Sequence, residues 1–182
     1  MALPSAIHKV NIQLADIDRG VYETLQSTVA RHPSETEERL VARLLAYALF
    51  FEPELVFTKG ISAVDEPDLW SKGPDGRVLL WVEVGLPEAD RILKASRHTE
   101  RAALVACGRL LSGWEQQQLP RLESVPNLTV ISFDQPFINC LTSKLDRSIK
   151  WDVTISDGNI YINVGNETFE TVLKVKVGTR RI

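Results

Sequence analysis

The chain begins with a run in which apolar and polar residues alternate. Val10, Ile12 and Leu14 are separated by polar residues, which is the spacing of a strand that is buried on one face. Residues 16–20 (DIDRG) then supply turn chemistry, and apolar residues recur on one face of a returning strand. The pattern therefore predicts a β-hairpin over residues 1–30.

Across residues 31–146 the pattern changes to short apolar strands separated by helical segments. Ser34 and Glu37 have the spacing of a capping box, so a helix is predicted to begin there and to reach about Phe51. Further strands are predicted at residues 54–58, 78–84, 102–106 and 128–132, and further helices at residues 87–98, 110–119 and 135–145. Residues 78–84 (VLLWVEV) are apolar on both faces apart from Glu83, which is typical of a central strand. This alternation predicts an α/β fold, with a largely parallel or mixed sheet flanked by helices.

Strict alternation returns in the last part of the chain. Strands are predicted at residues 149–155, 160–164 and 169–177, with turns at residues 157–158 (DG) and 165–166 (GN). We expect this β-meander to join the N-terminal hairpin in one added β-layer. The sequence thus predicts a single domain, 1–182, in which an α/β core (31–146) carries a β-rich extension (1–30 and 147–182).

Composition and charge narrow the function only slightly. The formal net charge of −3 disfavours a dedicated, high-affinity nucleic-acid binder, although a local basic patch stays open. Cys107 and Cys140 lie in apolar surroundings without a C-x-x-C motif, which favours two reduced core residues over a disulfide. The first residues (MALPSAIHKV) lack a signal-peptide pattern, and no apolar run is long enough to span a membrane. We therefore expect a cytoplasmic protein with no membrane partner.

Two carboxylates carry the most informative spacing in the chain. Asp68 follows Pro67 just before a strand, and Glu83 lies fifteen residues later inside an apolar strand. This is the carboxylate spacing of the PD-(D/E)XK nucleases, in which two convergent acids hold a divalent cation against a phosphodiester. The nuclease pattern has a lysine two residues after the second acid, where this chain has Gly85. The alternatives are a solvated acidic loop for Asp68 and a buried ion pair for Glu83.

A third acid, Glu38, is predicted to face the core. At 100° per residue it falls on the same helix stripe as Val41 and Leu45, whereas Arg39 and Arg43 fall roughly opposite and are expected to meet solvent. A carboxylate on a core-facing stripe needs a cation, a metal or hydrogen-bond donors. The alternative is a partly exposed first-turn acid that the helix dipole favours.

Lys94 is the candidate for the missing lysine. It shares a helix stripe with Arg91 and His98, and this helix leaves the carboxyl end of the strand that carries Glu83. A basic stripe in this position is able to neutralise Glu83 or to meet phosphate. The alternative is a solvated helix face.

Three runs of residues resemble the YaeQ family of bacterial proteins: residues 31–39 (RHPSETEER), 65–70 (DEPDLW) and 81–87 (WVEVGLP). The likeness extends over essentially the whole chain. The resemblance implies a variant of the PD-(D/E)XK restriction-endonuclease-like fold with extra β-structure, but it implies no known activity. By analogy with active members of the wider superfamily, Glu38, Asp68 and Glu83 would take the helix-acid and metal-ligand positions, while Gly85 departs from the lysine position.

Two functions therefore stay open. In the first, the protein is a metal-dependent nuclease or phosphodiesterase. Asp68 and Glu83, with the Val84 carbonyl, would hold Mg²⁺ or Mn²⁺, Lys94 would stabilise the phosphate charge, and Glu38 would orient the attacking water or a second ion. In the second, the protein is a non-catalytic regulator that binds nucleic acid or a protein partner, and Glu83 and Lys94 form a buried structural pair.

Overall fold

The computed structural model describes residues 4–180, apart from the side chain of Ser62. The first three and the last two residues of the predicted domain, including the start of the predicted hairpin, lie outside this range. In chain order the strands and α-helices are β1 (Ala6–Asp16), β2 (Val21–Arg31), α1 (Glu37–Leu49), β3 (Val56–Phe57), β4 (Leu69–Lys72), β5 (Val78–Val84), α2 (Ala89–His98), β6 (Arg101–Ala106), α3 (Leu111–Gln118), β7 (Leu128–Ser132), α4 (Gln135–Thr142), β8 (Ser148–Ser156), β9 (Asn159–Val164), β10 (Glu167–Val172) and β11 (Lys174–Val177). These elements confirm the predicted mixed α/β class.

One sheet joins the two ends of the chain. Its strand order is β10-β9-β8-β1-β2, and β1 pairs antiparallel with β2 but parallel with β8. The N-terminal hairpin and the C-terminal meander therefore share a β-layer, as predicted. The pairing Ile12↔Trp151 places two apolar side chains side by side on its inner face, where both are buried.

The second sheet carries the parallel strands of the α/β part. Its order is β11-β7-β6-β5-β4-β3, in which β5, β6 and β7 are parallel and the flanking strands are antiparallel. The predicted central strand, 78–84, is β5 and lies inside this sheet. Because β5, β6 and β7 run in the same direction, their carboxyl ends meet at one edge, where α/β proteins commonly bind ligands.

Helices α1 and α4 lie between the two sheets. One continuous apolar cluster contains buried residues of both sheets together with these helices, and every residue from Leu40 to Leu49 is buried. A second cluster packs α2 and α3 on the outer face of the second sheet. Among the helices in the described range, none has the length and hydropathy that a membrane span requires.

Helix α1 begins later than the capping-box prediction. Thr36 is the N-cap, and its side chain accepts a hydrogen bond from the Arg39 backbone N–H at 3.2 Å. The Ser34 hydroxyl instead lies 2.7 Å from His32 Nδ1, so it is engaged by the preceding turn and does not cap the helix. The predicted role of Ser34 is wrong because two residues near the turn are able to cap, and the turn geometry decides between them.

The last predicted strand divides between the two sheets. Residues 167–172 stay in the first sheet as β10, whereas residues 174–177 form β11 and pair antiparallel with β7 of the second sheet. The change occurs at Leu173, which is buried and donates its backbone N–H to the Gly158 carbonyl at 2.8 Å. Alternation predicts that residues 169–177 are extended, but it does not specify which strand they pair with. The structure therefore has two strands where the sequence predicts one.

The cysteines differ from each other in their surroundings. Both are free; Cys107 is buried beside the end of β6, and Cys140 is exposed on α4. The prediction that both are core residues is therefore wrong for Cys140. Its apolar neighbours in sequence face the core, while Cys140 lies on the solvent side of the same helix.

Candidate functional site

A cleft of about 590 Å³ lies at the carboxyl ends of β5 and β6, next to the start of α4. The start of α1, the loop before β4, the segment that follows β5 and the start of α4 form its walls. The predicted acids Glu38, Asp68 and Glu83 all line this cleft, and Lys94 does not. The fold thus brings together three acids that are far apart in the sequence.

Asp68 is buried at the entrance to β4. The pairing Leu69↔Val82 sets the register between β4 and β5, and it places Asp68 beside the end of β5. One carboxylate oxygen, Oδ2, accepts the Val84 backbone N–H at 2.9 Å, and the other, Oδ1, accepts Arg39 Nη2 at 2.6 Å. The predicted alternative of a solvated acidic loop is therefore wrong for Asp68.

Glu83 is buried at the same end of β5. Its Oε1 accepts hydrogen bonds from Trp81 Nε1 at 2.9 Å and from Arg91 Nε at 2.8 Å. Burial raises the pKa of Glu83 above its ordinary value, Arg91 opposes this rise, and the charge of Asp68 adds to it. The two carboxylates therefore repel each other within one buried site.

The partner of Glu83 is Arg91 and not Lys94. Arg91 lies at the start of α2, close to the end of β5, whereas Lys94 is one turn further along the helix and exposed. Arg91 also donates to the carbonyls of Val64 at 2.6 Å and Glu66 at 2.9 Å. The predicted Glu83–Lys94 pair is wrong because Arg91 is nearer to Glu83, and the two carbonyls of the loop before β4 hold the Arg91 guanidinium group beside the carboxylate.

Two arginines of α1 predicted to meet solvent differ from each other in exposure. Arg43 is only 1% exposed. Its Nη1 donates to Oε1 and Oε2 of Glu35 at 3.2 and 3.1 Å, and its Cζ lies 5.4 Å from the centre of the Phe57 ring. Arg39 is half-buried and bridges Glu35 at 3.2 Å and Asp68 at 2.6 Å. The prediction is wrong for Arg43, because α1 is enclosed by both sheets at this point, whereas Arg39 keeps partial contact with solvent at the cleft. The four-residue spacing of Glu35, Arg39 and Arg43 is the sequence signal for this ladder of ion pairs.

Glu38 differs from the other two acids of the cleft. It is half-buried in the first turn of α1 and makes no side-chain hydrogen bond or ion pair with the described residues. The structure therefore shows the predicted alternative, a partly exposed first-turn acid, and not a core-facing one. Its carboxylate is therefore able to accept a proton or a ligand donor without first losing a partner.

Gly85 marks the position where the nuclease pattern has a lysine. Its φ is +99°, and its backbone N–H donates to the Val105 carbonyl at 3.0 Å. A Cβ placed here would meet nothing within 4 Å. The backbone conformation nevertheless disfavours a lysine, because a side chain at this positive φ is strained. The positive charge in the cleft comes from Arg39 and Arg91 instead.

The donor set of the cleft fits an open cation site. Carboxylate oxygens are the ligands that Mg²⁺ and Mn²⁺ prefer, and Asp68 and Glu83 provide them side by side. Over residues 4–180, no group of three or more His, Cys, Asp or Glu side chains converges as a metal-ligand set. A cation at Asp68 and Glu83 would therefore complete its shell with water or ligand oxygens, which is common for Mg²⁺.

These features define a mixed α/β protein with a cleft of acids and arginines at the ends of its parallel strands. The chain belongs to the YaeQ family, whose family model, described as YaeQ protein, matches residues 1–173. The family prediction is therefore confirmed.

Relatives cover almost the whole chain. The Uncharacterized protein YaeQ of Salmonella typhi is 37% identical over 174 residues, which are 95% of this chain and 96% of that protein. The protein of the same description from Escherichia coli (strain K12) is 35% identical with the same coverage. The descriptions of these relatives name no reaction.

Solved structures agree with the fold. The crystal structure of YaeQ protein from Pseudomonas syringae matches with a TM-score of 0.92 and 45% identity, over 98% of this chain and 99% of that one. The crystal structure of YaeQ protein from Xanthomonas axonopodis pv. citri matches with a TM-score of 0.91 and 32% identity, over 96% and 99% of the two chains. The overall fold is thus similar to both of these structures over nearly their full length.

Proposed function

We propose that the cleft is a cation-assisted phosphodiester site, and that the protein is a nuclease-like phosphodiesterase with a variant PD-(D/E)XK fold. The observation that carries this proposal is the meeting of Asp68 and Glu83 at the end of β5, with Glu38 on the same cleft. Two buried carboxylates that repel each other form a position that a divalent cation stabilises. Nucleic acid is the ligand that this chemistry fits.

Each side chain of the cleft has a distinct role in this proposal. Asp68 and Glu83, with the Val84 carbonyl, would hold Mg²⁺ or Mn²⁺, which supplies charge neutralisation at the phosphate when it is bound. Arg39 and Arg91 pair with these carboxylates at 2.6 and 2.8 Å, and their guanidinium groups would be the cations available to the phosphate oxygens. A guanidinium group keeps its charge at any working pH and matches phosphate geometry. The unpaired Glu38 accepts the proton of the attacking water.

Calorimetric titration with Mn²⁺ tests the proposal. The wild type is compared with Asp68→Asn and Glu83→Gln, after circular dichroism shows that both variants are folded. Asp75→Asn is the matched control, because Asp75 lies in the same part of the chain but pairs with Arg77 in solvent. Binding that both cleft variants lose and the control keeps would support the site. A folded wild type that takes up no Mn²⁺ would contradict it.

Hydrolysis is tested separately with end-labelled oligonucleotides in Mn²⁺. We expect slow cleavage by the wild type and at least a tenfold loss in Glu38→Gln, since a general base contributes roughly a hundredfold or more. Cleavage that Glu38→Gln retains in full would remove Glu38 from the reaction.

A second candidate is a non-catalytic regulator on the same scaffold, which binds nucleic acid or a protein partner. Two observations favour it: Asp68 and Glu83 each have an arginine partner, and the backbone at Gly85 disfavours a lysine. It predicts that Asp68→Asn changes stability equally with and without Mn²⁺, and that no oligonucleotide is cleaved. The two free cysteines support a cytoplasmic location for either candidate.

A further inference from the structure

A second pocket of about 260 Å³ lies next to the cleft, on the other side of Arg91. Val64 and Arg91 belong to the walls of both cavities, so the two are neighbours. Trp81 lines the second pocket together with Lys94 and His98, which extend from α2. The basic stripe of this helix therefore faces a cavity, although it does not reach the cleft itself.

The two cavities differ in their charged groups. In the cleft, four acidic residues and two arginines belong to the lining: Glu38, Glu66, Asp68 and Glu83 with Arg39 and Arg91. In the second pocket, Arg91 is shared with the cleft and already paired with Glu83, whereas Lys94 makes no ion pair with a described residue and His98 adds two ring nitrogens. The cleft therefore needs a cation before it accepts a phosphate, whereas the second pocket offers the unpaired Lys94 to an anion.

An indole forms the aromatic part of the second pocket. Trp81 is half-buried, and its Nε1 donates to Glu83 Oε1 at 2.9 Å, so the ring is fixed at its edge. Trp70 pairs directly across from it on β4, with ring centres 6.5 Å apart, and Lys72 Nζ lies 3.7 Å from the centre of the Trp70 ring. Two indoles and a lysine thus extend from the pocket along one sheet face. The linear sequence conceals this row because the two indoles lie on different strands.

We propose that the second pocket binds the nucleotide adjacent to the phosphate held in the cleft, within a single-stranded nucleic acid. Its base stacks on Trp81 and its phosphate meets Lys94 and His98. Stacking on an aromatic side chain requires an unpaired base, and a basic side chain beside the ring follows the backbone; together these are how proteins hold single strands. The position of this nucleotide rests on the proposed function, which puts a phosphate at Asp68 and Glu83.

Fluorescence anisotropy with short single-stranded oligodeoxynucleotides tests this subsite. Four-nucleotide probes with phosphorothioate linkages, which slow turnover, are titrated with protein in Mn²⁺ and in EDTA over a series of salt concentrations. Lys94→Gln removes the charge, and Lys94→Arg restores it. Lys150→Gln is the matched control, because Lys150 is also an exposed lysine but lies on β8 of the other sheet.

Loss of one phosphate contact lowers the slope of log affinity against log salt by about 0.7, which corresponds to about eightfold weaker binding near 0.05 M salt. We expect this loss in Lys94→Gln, recovery in Lys94→Arg, and wild-type binding in Lys150→Gln. Equal affinity and equal salt slope in Lys94→Gln and the wild type would overturn the subsite.

Calorimetry with Mn²⁺ on the same variants separates the two proposals. Unchanged Mn²⁺ affinity in Lys94→Gln together with weaker oligonucleotide binding supports the subsite. Mn²⁺ uptake by a wild type that binds no oligonucleotide overturns the subsite and leaves the cation site standing. Oligonucleotide binding that depends on Lys94 in a protein that takes up no Mn²⁺ overturns the cation site, and with it the placement of this nucleotide beside a phosphate in the cleft.

Discussion

Replacement of Asp68 by alanine should destabilise the protein strongly, even without a metal. The side chain is 1% exposed, and its two oxygens accept the Val84 N–H and Arg39 Nη2. Its removal leaves a buried N–H without an acceptor, which costs about 1–3 kcal/mol, and it breaks an ion pair whose acid is buried. Because Arg39 is partly exposed and keeps Glu35, we expect a total loss of about 3 kcal/mol.

Urea unfolding in EDTA, followed by tryptophan fluorescence, measures this loss. With an m-value of about 2 kcal/mol/M, a loss of about 3 kcal/mol in the free energy of unfolding lowers the urea midpoint by about 1.5 M. This loss is a large share of the free energy of unfolding of a typical domain. Asp68→Asn keeps an oxygen for the Val84 N–H and should lose about half as much. Asp75→Ala is the control, because its pair with Arg77 is exposed and its midpoint should not move.

A midpoint of Asp68→Ala that matches the Asp75→Ala control, at an unchanged m-value, would refute this reasoning. It would mean that the Val84 N–H and Arg39 find other partners, so that the carboxylate is not part of the framework of the cleft. An altered m-value would instead indicate a changed denatured state or a loss of two-state behaviour, and Asp68→Asn would then decide the question.

Two further predictions follow from pKa values. Burial raises the pKa of Glu83 above its ordinary value of 4.5, so folding favours the protonated carboxyl group. The protonated group therefore adds to the stability of the folded protein below pH 4.5. This added stability is lost as pH rises through the pKa of the folded state. The urea midpoint of the wild type should therefore fall relative to that of Glu83→Gln as pH rises from 4 to 7, and a relative rise would contradict the sign. Burial also raises the pKa of the Cys107 thiol to about 11, so a thiol reagent at pH 8 should label exposed Cys140 quickly and Cys107 only slowly. Two thiols that react at one rate would show that Cys107 is accessible.

Local sequence patterns determined the elements of this protein and the acids of its cleft. Alternation predicted the hairpin, the meander and their common layer, and an apolar run predicted β5 from Val78 to Val84. The acids were found because a carboxylate within or beside an apolar segment is conspicuous, and Asp68 and Glu83 lie at the facing ends of paired strands. Neighbouring residues alone specify such features.

Tertiary structure alone decided which cation neutralises each acid. Arg91, Lys94 and His98 share one helix stripe, yet only Arg91 reaches Glu83, because the approach of α2 to the end of β5 favours the first turn. Arg43 is buried because the second sheet covers the helix face that a solitary amphipathic helix would expose to water. Which cation pairs with a given acid depends on separations of a few ångströms between elements that are distant in the chain. The spacing of residues in the sequence does not specify these separations. The sequence therefore determined where charge would be buried, and only packing decided what neutralises it.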